Sequence, residues 1–218
     1  MLKQFDNTHL YDRYAVAIQM REWICGGLPK NPDVIASWVK MKTGADDELT
    51  EKQTKEAVEA LQEEYTQACW NTFPRDEKGL YVWSRQVKAL FRESMTMLGF
   101  AVKKRGSKQI MQHGLEIKGP EHAQRVYLGV DEPTGYVDKT IHVVTPQGPR
   151  NALVRVDYVE ASTLKFEVWV FHTEPQEKRH LGEKEVVEML TFAQENGLGA
   201  DRSQGHGKFD VVEFFKIT

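Results

Sequence analysis

The chain has 218 residues, of which 40% are hydrophobic and 28% charged, and its formal net charge is −3. This composition is ordinary for one large or two small globular domains. It excludes a uniformly basic nucleic-acid-binding protein, so any such binding needs a local basic patch. The two cysteines, Cys25 and Cys69, favour neither a zinc site nor a disulfide framework, and no apolar run approaches the roughly 18 residues that span a bilayer. Residues 1–13 are mostly polar and lack the apolar core of a signal peptide. We therefore expect a cytoplasmic protein with no membrane partner and no metal or other cofactor.

The N-terminal half alternates apolar segments with polar, acidic ones. Residues 14–24 are apolar-rich and predict a strand or a short helix, ended by the turn-forming sequence at residues 26–29. A proline in the first turn favours a helix over residues 32–42. A capping box favours a longer amphipathic helix over residues 50–68, which has the character of an insertion or a partner-binding element.

A basic helical face is predicted over residues 84–98. Arg85, Lys88 and Arg92 lie three and seven positions apart, so they share one face of the helix while apolar residues cover the remainder. These cations are candidate phosphate contacts, and a solvated basic face is the equal alternative. Trp83, next to the start of the helix, is a candidate for stacking on a base.

A second basic segment follows this helix. Lys103, Lys104 and Arg105 stand in a glycine-containing stretch, and residues 103–125 as a whole favour loop with short strands. A loop of this kind can bind phosphates. A solvent-exposed loop without a ligand is at least as good an interpretation.

The C-terminal part has the clearest pattern. Residues 136–144 predict a strand, and alternation over residues 152–160 and 164–171 predicts two more that pair as a hairpin. Residues 183–196 form an amphipathic helical pattern with acidic residues in the first turn, and residues 209–217 predict a final strand. The order strand, strand, helix, strand is most of one ferredoxin-like unit.

A glycine-rich loop joins that last helix to the last strand. Glycine permits positive φ and close approach of another chain, and successive N–H groups in such a loop can cradle phosphate oxygens. The order helix, loop, strand is the reverse of a dinucleotide-binding motif, and the loop lacks the Gly-Lys-Ser/Thr ending of a P-loop. A tight connection without a ligand is the equal alternative. The loop contains Gly197, Gly199, Arg202, Ser203, Gln204, Gly205, His206, Gly207 and Lys208.

Residues 150–218 resemble the C-terminal region of the repeat-associated mysterious proteins (RAMPs) of CRISPR systems. In that family a GxG element leads through a small and basic stretch into a second GxG element and a final strand. The resemblance implies that the loop contacts guide RNA. The positions that match the pattern are Gly197, Gly199, Arg202, Ser203, Gly205 and Gly207, and the implied contacts are Arg202, Ser203, His206 and Lys208.

A weaker resemblance lies upstream, where Ser84, Lys88 and Arg92 match the serine, lysine and arginine spacing at a helix start in several RAMP subunits. In those subunits the polar side of the helix faces RNA. The family usually has glycine after the lysine, and this chain has Ala89.

Together these patterns predict an α+β protein built on ferredoxin-like (RRM-like) modules. Residues 131–218 would form one clear module, and residues 1–130 a helix-rich region that contains a degraded or elaborated second one. The expected function is binding of guide or repeat RNA as a subunit of a CRISPR-type or related antiviral ribonucleoprotein that contains other proteins.

Two alternatives remain open at the level of sequence. One is a metal-independent endoribonuclease that processes guide RNA, although the seven histidines are scattered and assemble no catalytic group by spacing. The other is an assembly subunit of a phage or defence complex that uses the fold without RNA.

Overall fold

The computed structural model describes residues 8–30, 70–100, 114–145, 148–172 and 181–217. In this part the chain is mixed α/β, with mostly strands and two α-helices. The helices expected over residues 32–42 and 50–68 lie outside the described residues, as do Lys103, Lys104 and Arg105. The helix-rich character expected of residues 1–130 therefore stays a prediction.

The elements follow one another along the chain in an order that alternates strands with two long helices. They are β1 (Tyr11–Met20), β2 (Trp23–Cys25), β3 (Leu28–Pro29), β4 (Trp70–Thr72), β5 (Arg75–Asp76), β6 (Gly79–Trp83), α1 (Ser84–Met97), β7 (Leu115–Lys118), β8 (Arg125–Tyr127), β9 (Gly135–Thr145), β10 (Gly148–Glu160), β11 (Thr163–Phe171), α2 (Glu183–Asn196) and β12 (Phe209–Ile217), with short 3-10 turns at Thr8–Leu10, Pro120–His122 and Arg202–Gln204.

The chain divides into two compact units, each made of separate segments. The first unit contains residues 1–24, 74–132 and 159–218, and the second contains residues 25–73 and 133–158. One division point, between Glu132 and Pro133, lies next to the domain boundary expected at residue 130. The two expected domains themselves stay a prediction.

The first unit is organised around an antiparallel sheet with the strand order β12, β1, β11, β7. Alternate residues of β1 and β11 are buried, as the alternating pattern requires of strands with one face on a core. Both helices contribute apolar residues to this core, among them Leu90 and Phe91 of α1 and Met189 and Leu190 of α2. The helices contact each other, and α1 also contacts β7 while α2 contacts β12.

The expected hairpin of residues 152–160 and 164–171 is wrong. Both segments are strands, but β11 pairs with β1 and β7, whereas β10 pairs with β9 and β4. The turn between them contains Ala161 with φ +46°. Its N–H donates to the carbonyl of Glu22, so the turn is bound to the chain that follows β1 and not closed on itself.

A smaller sheet of the first unit has the order β5, β6, β8 and leads directly into α1. In the second unit β10 pairs with β4 and β9, and β4 pairs with β3. Strands β9 and β10 form a long antiparallel pair that runs from Gly135 and Tyr158 to Thr145 and Gly148. Neither α1 nor α2, nor any other helix in the described part of the chain, combines the length and apolarity that a membrane span requires.

Candidate nucleic-acid interface

The neck of the glycine-rich loop is closed by backbone contacts that only glycine allows. The Leu198 N–H donates to the Gly207 carbonyl at 2.8 Å, and the Gly207 N–H donates to the Trp23 carbonyl at 3.0 Å. Gly197 and Gly207 both have φ +77°. A Cβ atom at Gly207 would lie 1.9 Å from the Leu198 carbonyl oxygen, so no larger residue fits without opening the neck.

The tip of the loop faces outward. Asp201 has φ +59° and begins the 3-10 turn Arg202–Gln204, which Gly205 ends with φ +93°. Ser203, Gln204 and Gly205 are exposed. A Cβ atom at Gly205 would meet nothing within 4 Å, which shows that space is open there. The tip therefore offers small polar side chains to a ligand.

Arg202 is held by a carboxylate of α1. Its two terminal nitrogens donate to Glu93 at 2.6 and 3.0 Å, and the Asn196 amide donates to the same carboxylate at 2.8 Å. The hydrogen bonds from Arg202 lower the pKa of Glu93, and the same bonds raise the pKa of Arg202. This two-pronged ion pair joins the loop to the helix.

The other two basic residues of the loop also have partners within the protein. Lys208 donates to Glu195 at 3.0 Å, and that carboxylate also accepts from Arg21. His206 accepts a hydrogen bond through Nδ1 from the indole N–H of Trp23 at 2.5 Å. The loop's basic residues therefore contribute to holding the loop in place.

The helix α1 presents its cations differently. Arg85 and Arg92 are exposed, and among the described residues no carboxylate lies within 4.0 Å of either guanidinium. Arg85 does lie over the Trp83 ring, with its Cζ 5.1 Å from the ring centre. Lys88 is half-buried, and its Nζ lies 3.4 Å from Glu116 of β7. Of the three cations expected on this face, the two arginines are the ones left open to a ligand.

A cleft of about 140 Å³ lies where the loop meets α1. The structure thus brings together the two segments that the sequence singled out separately. Arg85 and Arg92 do not line the cleft, but each directly precedes a helix residue that does, Gln86 and Glu93. The residues that line the cleft are Gln86, Ala89, Leu90, Glu93, Gly197, Leu198, Gly199 and Arg202.

No protein-family model matches the chain, and a search of curated proteins finds no match. A solved structure, the cryo-EM structure of the Type III-B Cmr-beta bound to cognate target RNA, contains a chain with a TM-score of 0.53 and 13% identity. The match covers 97% of this chain and 62% of that chain, so the protein spans less than two thirds of the length of its structural neighbour. The likeness is one of fold.

Sequence reasoning missed Glu93. Its spacing was informative, because it stands four residues after Ala89 and seven after Gln86, on the stripe that lines the cleft. The carboxylate changes the character of the site, since it neutralises the charge of Arg202. The ion pair itself could not be read from local spacing, because its partners are separated by 109 residues.

The aromatic candidate beside α1 is only half-buried. Trp83 precedes the helix, and its backbone N–H donates to the side-chain oxygen of Gln86 at 2.8 Å. Tyr81 is buried, and its ring packs on Trp83 and Tyr127 with centroid distances of 5.1 and 6.0 Å. Of the two rings, only Trp83 retains surface that a base could reach. In the described ranges, no three potential metal ligands come together.

Proposed function

We propose that the protein binds RNA as a guide-RNA-binding subunit of a CRISPR-type or related defence ribonucleoprotein. Two neighbouring features of α1 carry this proposal: its cleft with the glycine-rich loop, and the exposed Arg85 and Arg92, which have no carboxylate within 4.0 Å among the described residues. Exposed, unpaired guanidinium groups are suited to phosphate, because their donors form a planar fork and their charge is not already neutralised.

The connectivity of the first unit supports the proposal. The elements β1, α1, β7, β11, α2 and β12 follow the order strand, helix, strand, strand, helix, strand. We infer a single ferredoxin-like unit from these six elements and the sheet order β12, β1, β11, β7. The glycine-rich loop then lies between its last helix and last strand, where the resemblance to RAMP proteins places it. The fold likeness to a chain of an RNA-bound Cmr-beta structure agrees with this.

The two elements have separate roles in the proposed mechanism. The arginines of α1 supply the charge that attracts the sugar-phosphate chain. The loop supplies shape, because Arg202 and Lys208 are engaged by Glu93 and Glu195. Its exposed tip adds neutral hydrogen-bonding groups that contact the backbone of the RNA. Contacts of this kind fix the position of the strand without reading its sequence.

The test is binding of a single-stranded RNA by the double variant Arg85→Ala with Arg92→Ala, measured over a range of salt concentrations. We expect binding to weaken by roughly tenfold. Because each phosphate contact in single strands contributes about 0.7 to the slope of log affinity against log salt, the slope should fall by about 1.4.

The matched control removes the same charge elsewhere in the first unit. Lys165→Ala with Lys184→Ala takes away two cations of β11 and α2, of which Lys184 has a side chain 82% exposed. We expect a much smaller change in slope. Equal slopes for wild type and the α1 double variant would reject the α1 cleft as the RNA site.

Specific cleavage of repeat RNA in the presence of EDTA would favour a metal-independent nuclease over a binding subunit.

A further inference from the structure

The sheet of the second unit carries a layered group of rings and cations on one face. In the strand register, Tyr136 of β9 lies opposite Asp157 of β10, and Asp138 lies opposite Arg155. Arg155 is also the partner of Trp70 on β4. Because side chains two residues apart along a strand share a face, these five side chains stand on the same side of the sheet.

The layers are in direct contact. The Lys30 Nζ lies 3.7 Å from the centre of the Trp70 ring, and the Arg155 Cζ lies 5.1 Å from the same ring. Arg155 lies still closer to Tyr136, with its Cζ 3.8 Å from the ring centre. The two rings approach edge to face at 6.0 Å. Tyr136 is the outermost member of this group.

Hydrogen bonds fix the group beneath Tyr136. The guanidinium of Arg155 donates to both oxygens of Asp138, at 2.7 and 2.8 Å. These bonds raise the pKa of Arg155 and lower that of Asp138, so both stay charged over the ordinary pH range. The Trp70 indole donates to Asp157 at 2.6 Å, and Lys30 lies 3.0 Å from the second oxygen of that buried carboxylate.

The solvent exposure of the side chains in this group is much higher at Tyr136 than at Arg155. The side chain of Arg155 is 17% exposed, whereas Tyr136 is 52% exposed. One face of the tyrosine ring is covered by the guanidinium, so the exposed area belongs mainly to the opposite face and the ring edge. A rigidly backed aromatic face is what a flat ligand needs, because the ring loses little freedom when the ligand binds.

We propose that Tyr136 is a stacking platform for an unpaired base of single-stranded RNA, with Arg155 as its backing layer. This inference rests on the proposed function and adds a second contact to it. Two cations and two carboxylates of the group cancel in charge, so it does not attract phosphates. Asp138 accepts two hydrogen bonds from Arg155, and Asp157 is buried beneath the rings, so the exposed ring face of Tyr136 is the feature offered to a ligand. Stacking accepts any base, because every base has a π face.

The experiment compares Tyr136→Ala, Tyr136→Phe and wild type in the full chain, with the same single-stranded RNA and salt series as above. We expect Tyr136→Ala to weaken binding by about 5- to 150-fold, the range typical of a lost base stack. The slope against salt should not change, because no phosphate contact is removed. Tyr136→Phe keeps the ring and should bind like wild type. Phe215→Ala removes an equally exposed ring, 56% exposed in the first unit, and should also bind like wild type.

Three results would overturn the platform. If Tyr136→Ala binds RNA with wild-type affinity, the ring contacts a protein partner and not RNA. If the variant has a reduced salt slope, the residue contacts phosphate. If Tyr136→Phe and Tyr136→Ala lose the same affinity, the contact is made by the hydroxyl group. If Tyr136→Ala has no effect while the α1 double variant loses slope, the stacking inference fails and the RNA-binding function stands. If wild type itself retains no RNA, both fail.

Discussion

The glycine-rich loop and the helix α1 face the same cleft and both are basic, yet they use their charge in opposite ways. In the loop, Arg202 and Lys208 are engaged by carboxylates of α1 and α2. On the helix, Arg85 and Arg92 are exposed and have no carboxylate partner among the described residues. The comparison shows that basic residues of a sequence motif can stabilise the fold through ion pairs. The charge available to a ligand is therefore known only once the partners of these residues within the protein have been identified.

The largest expected effect concerns the neck of the loop. Gly207→Ala would place a Cβ atom 1.9 Å from the Leu198 carbonyl oxygen at φ +77°, so the neck must open. We expect a loss of about 3 kcal/mol in the free energy of unfolding, from the left-handed backbone and the overlap together. Urea unfolding measures the change.

Gly205→Ala is the matched control for that neck. Gly205 also has positive φ, at +93°, but its Cβ would meet nothing within 4 Å. The cost should be only the conformational one, about 1 kcal/mol. Equal losses at the two glycines would show that the close approach at the neck contributes nothing.

A smaller effect is expected from the pair that joins the loop to α1. Glu93→Gln removes the charge that engages Arg202, and because the two side chains are 38% and 33% exposed, the cost should be about 1 kcal/mol. The pKa of Glu93 is lowered in the folded protein, so the stabilisation is fully present above its ordinary value of 4.5. It is lost as the pH falls further, through the lowered value.

Unfolding of wild type and Glu93→Gln at several pH values checks this sign. The difference in stability should be largest near neutral pH and shrink below about 4.5, the ordinary pKa of the carboxyl group. A difference that is constant with pH would mean that the carboxylate's charge does not stabilise the loop. If the variant also binds RNA with a steeper salt slope, the released Arg202 has joined the phosphate contacts, and the contrast between loop and helix is weaker than stated.

The smallest effect is expected at Lys208. Its partner Glu195 is 61% exposed and also accepts from Arg21, so Lys208→Ala should cost no more than about 0.5 kcal/mol. On our interpretation the salt slope of RNA binding stays near that of wild type. A fall in slope as large as that of the α1 double variant would show that Lys208 exchanges its carboxylate for phosphate.

Local patterns predicted several elements well. The helical periodicity of residues 183–196 and the final strand 209–217 are confirmed to the residue, and the helix expected over 84–98 is observed over Ser84–Met97. In both helices one face is apolar, and the end of α2 carries a recognisable signal in Gly197. Short-range physics is sufficient for elements of this kind.

The pairing of strands and the partners of charged side chains could not be predicted in the same way. The strand β1 pairs with β11 and β12, which lie about 150 to 200 residues away, and nothing in the alternation of β11 says that its neighbour is β1 and not β10. The partners of Arg202 and His206, Glu93 and Trp23, are likewise distant in sequence. Such contacts depend on how the elements assemble, so the periodicity of the sequence does not predict them.

The central position of β1 also constrains how the chain can acquire its structure during synthesis. Its two neighbours in the sheet, β11 and β12, are synthesised about 150 to 200 residues after it. The apolar side chains of β1 therefore lack their native sheet partners while the intervening residues are made. Because such non-local pairing forms slowly, the unpaired β1 is a segment that chaperones can bind and that can aggregate before the sheet forms.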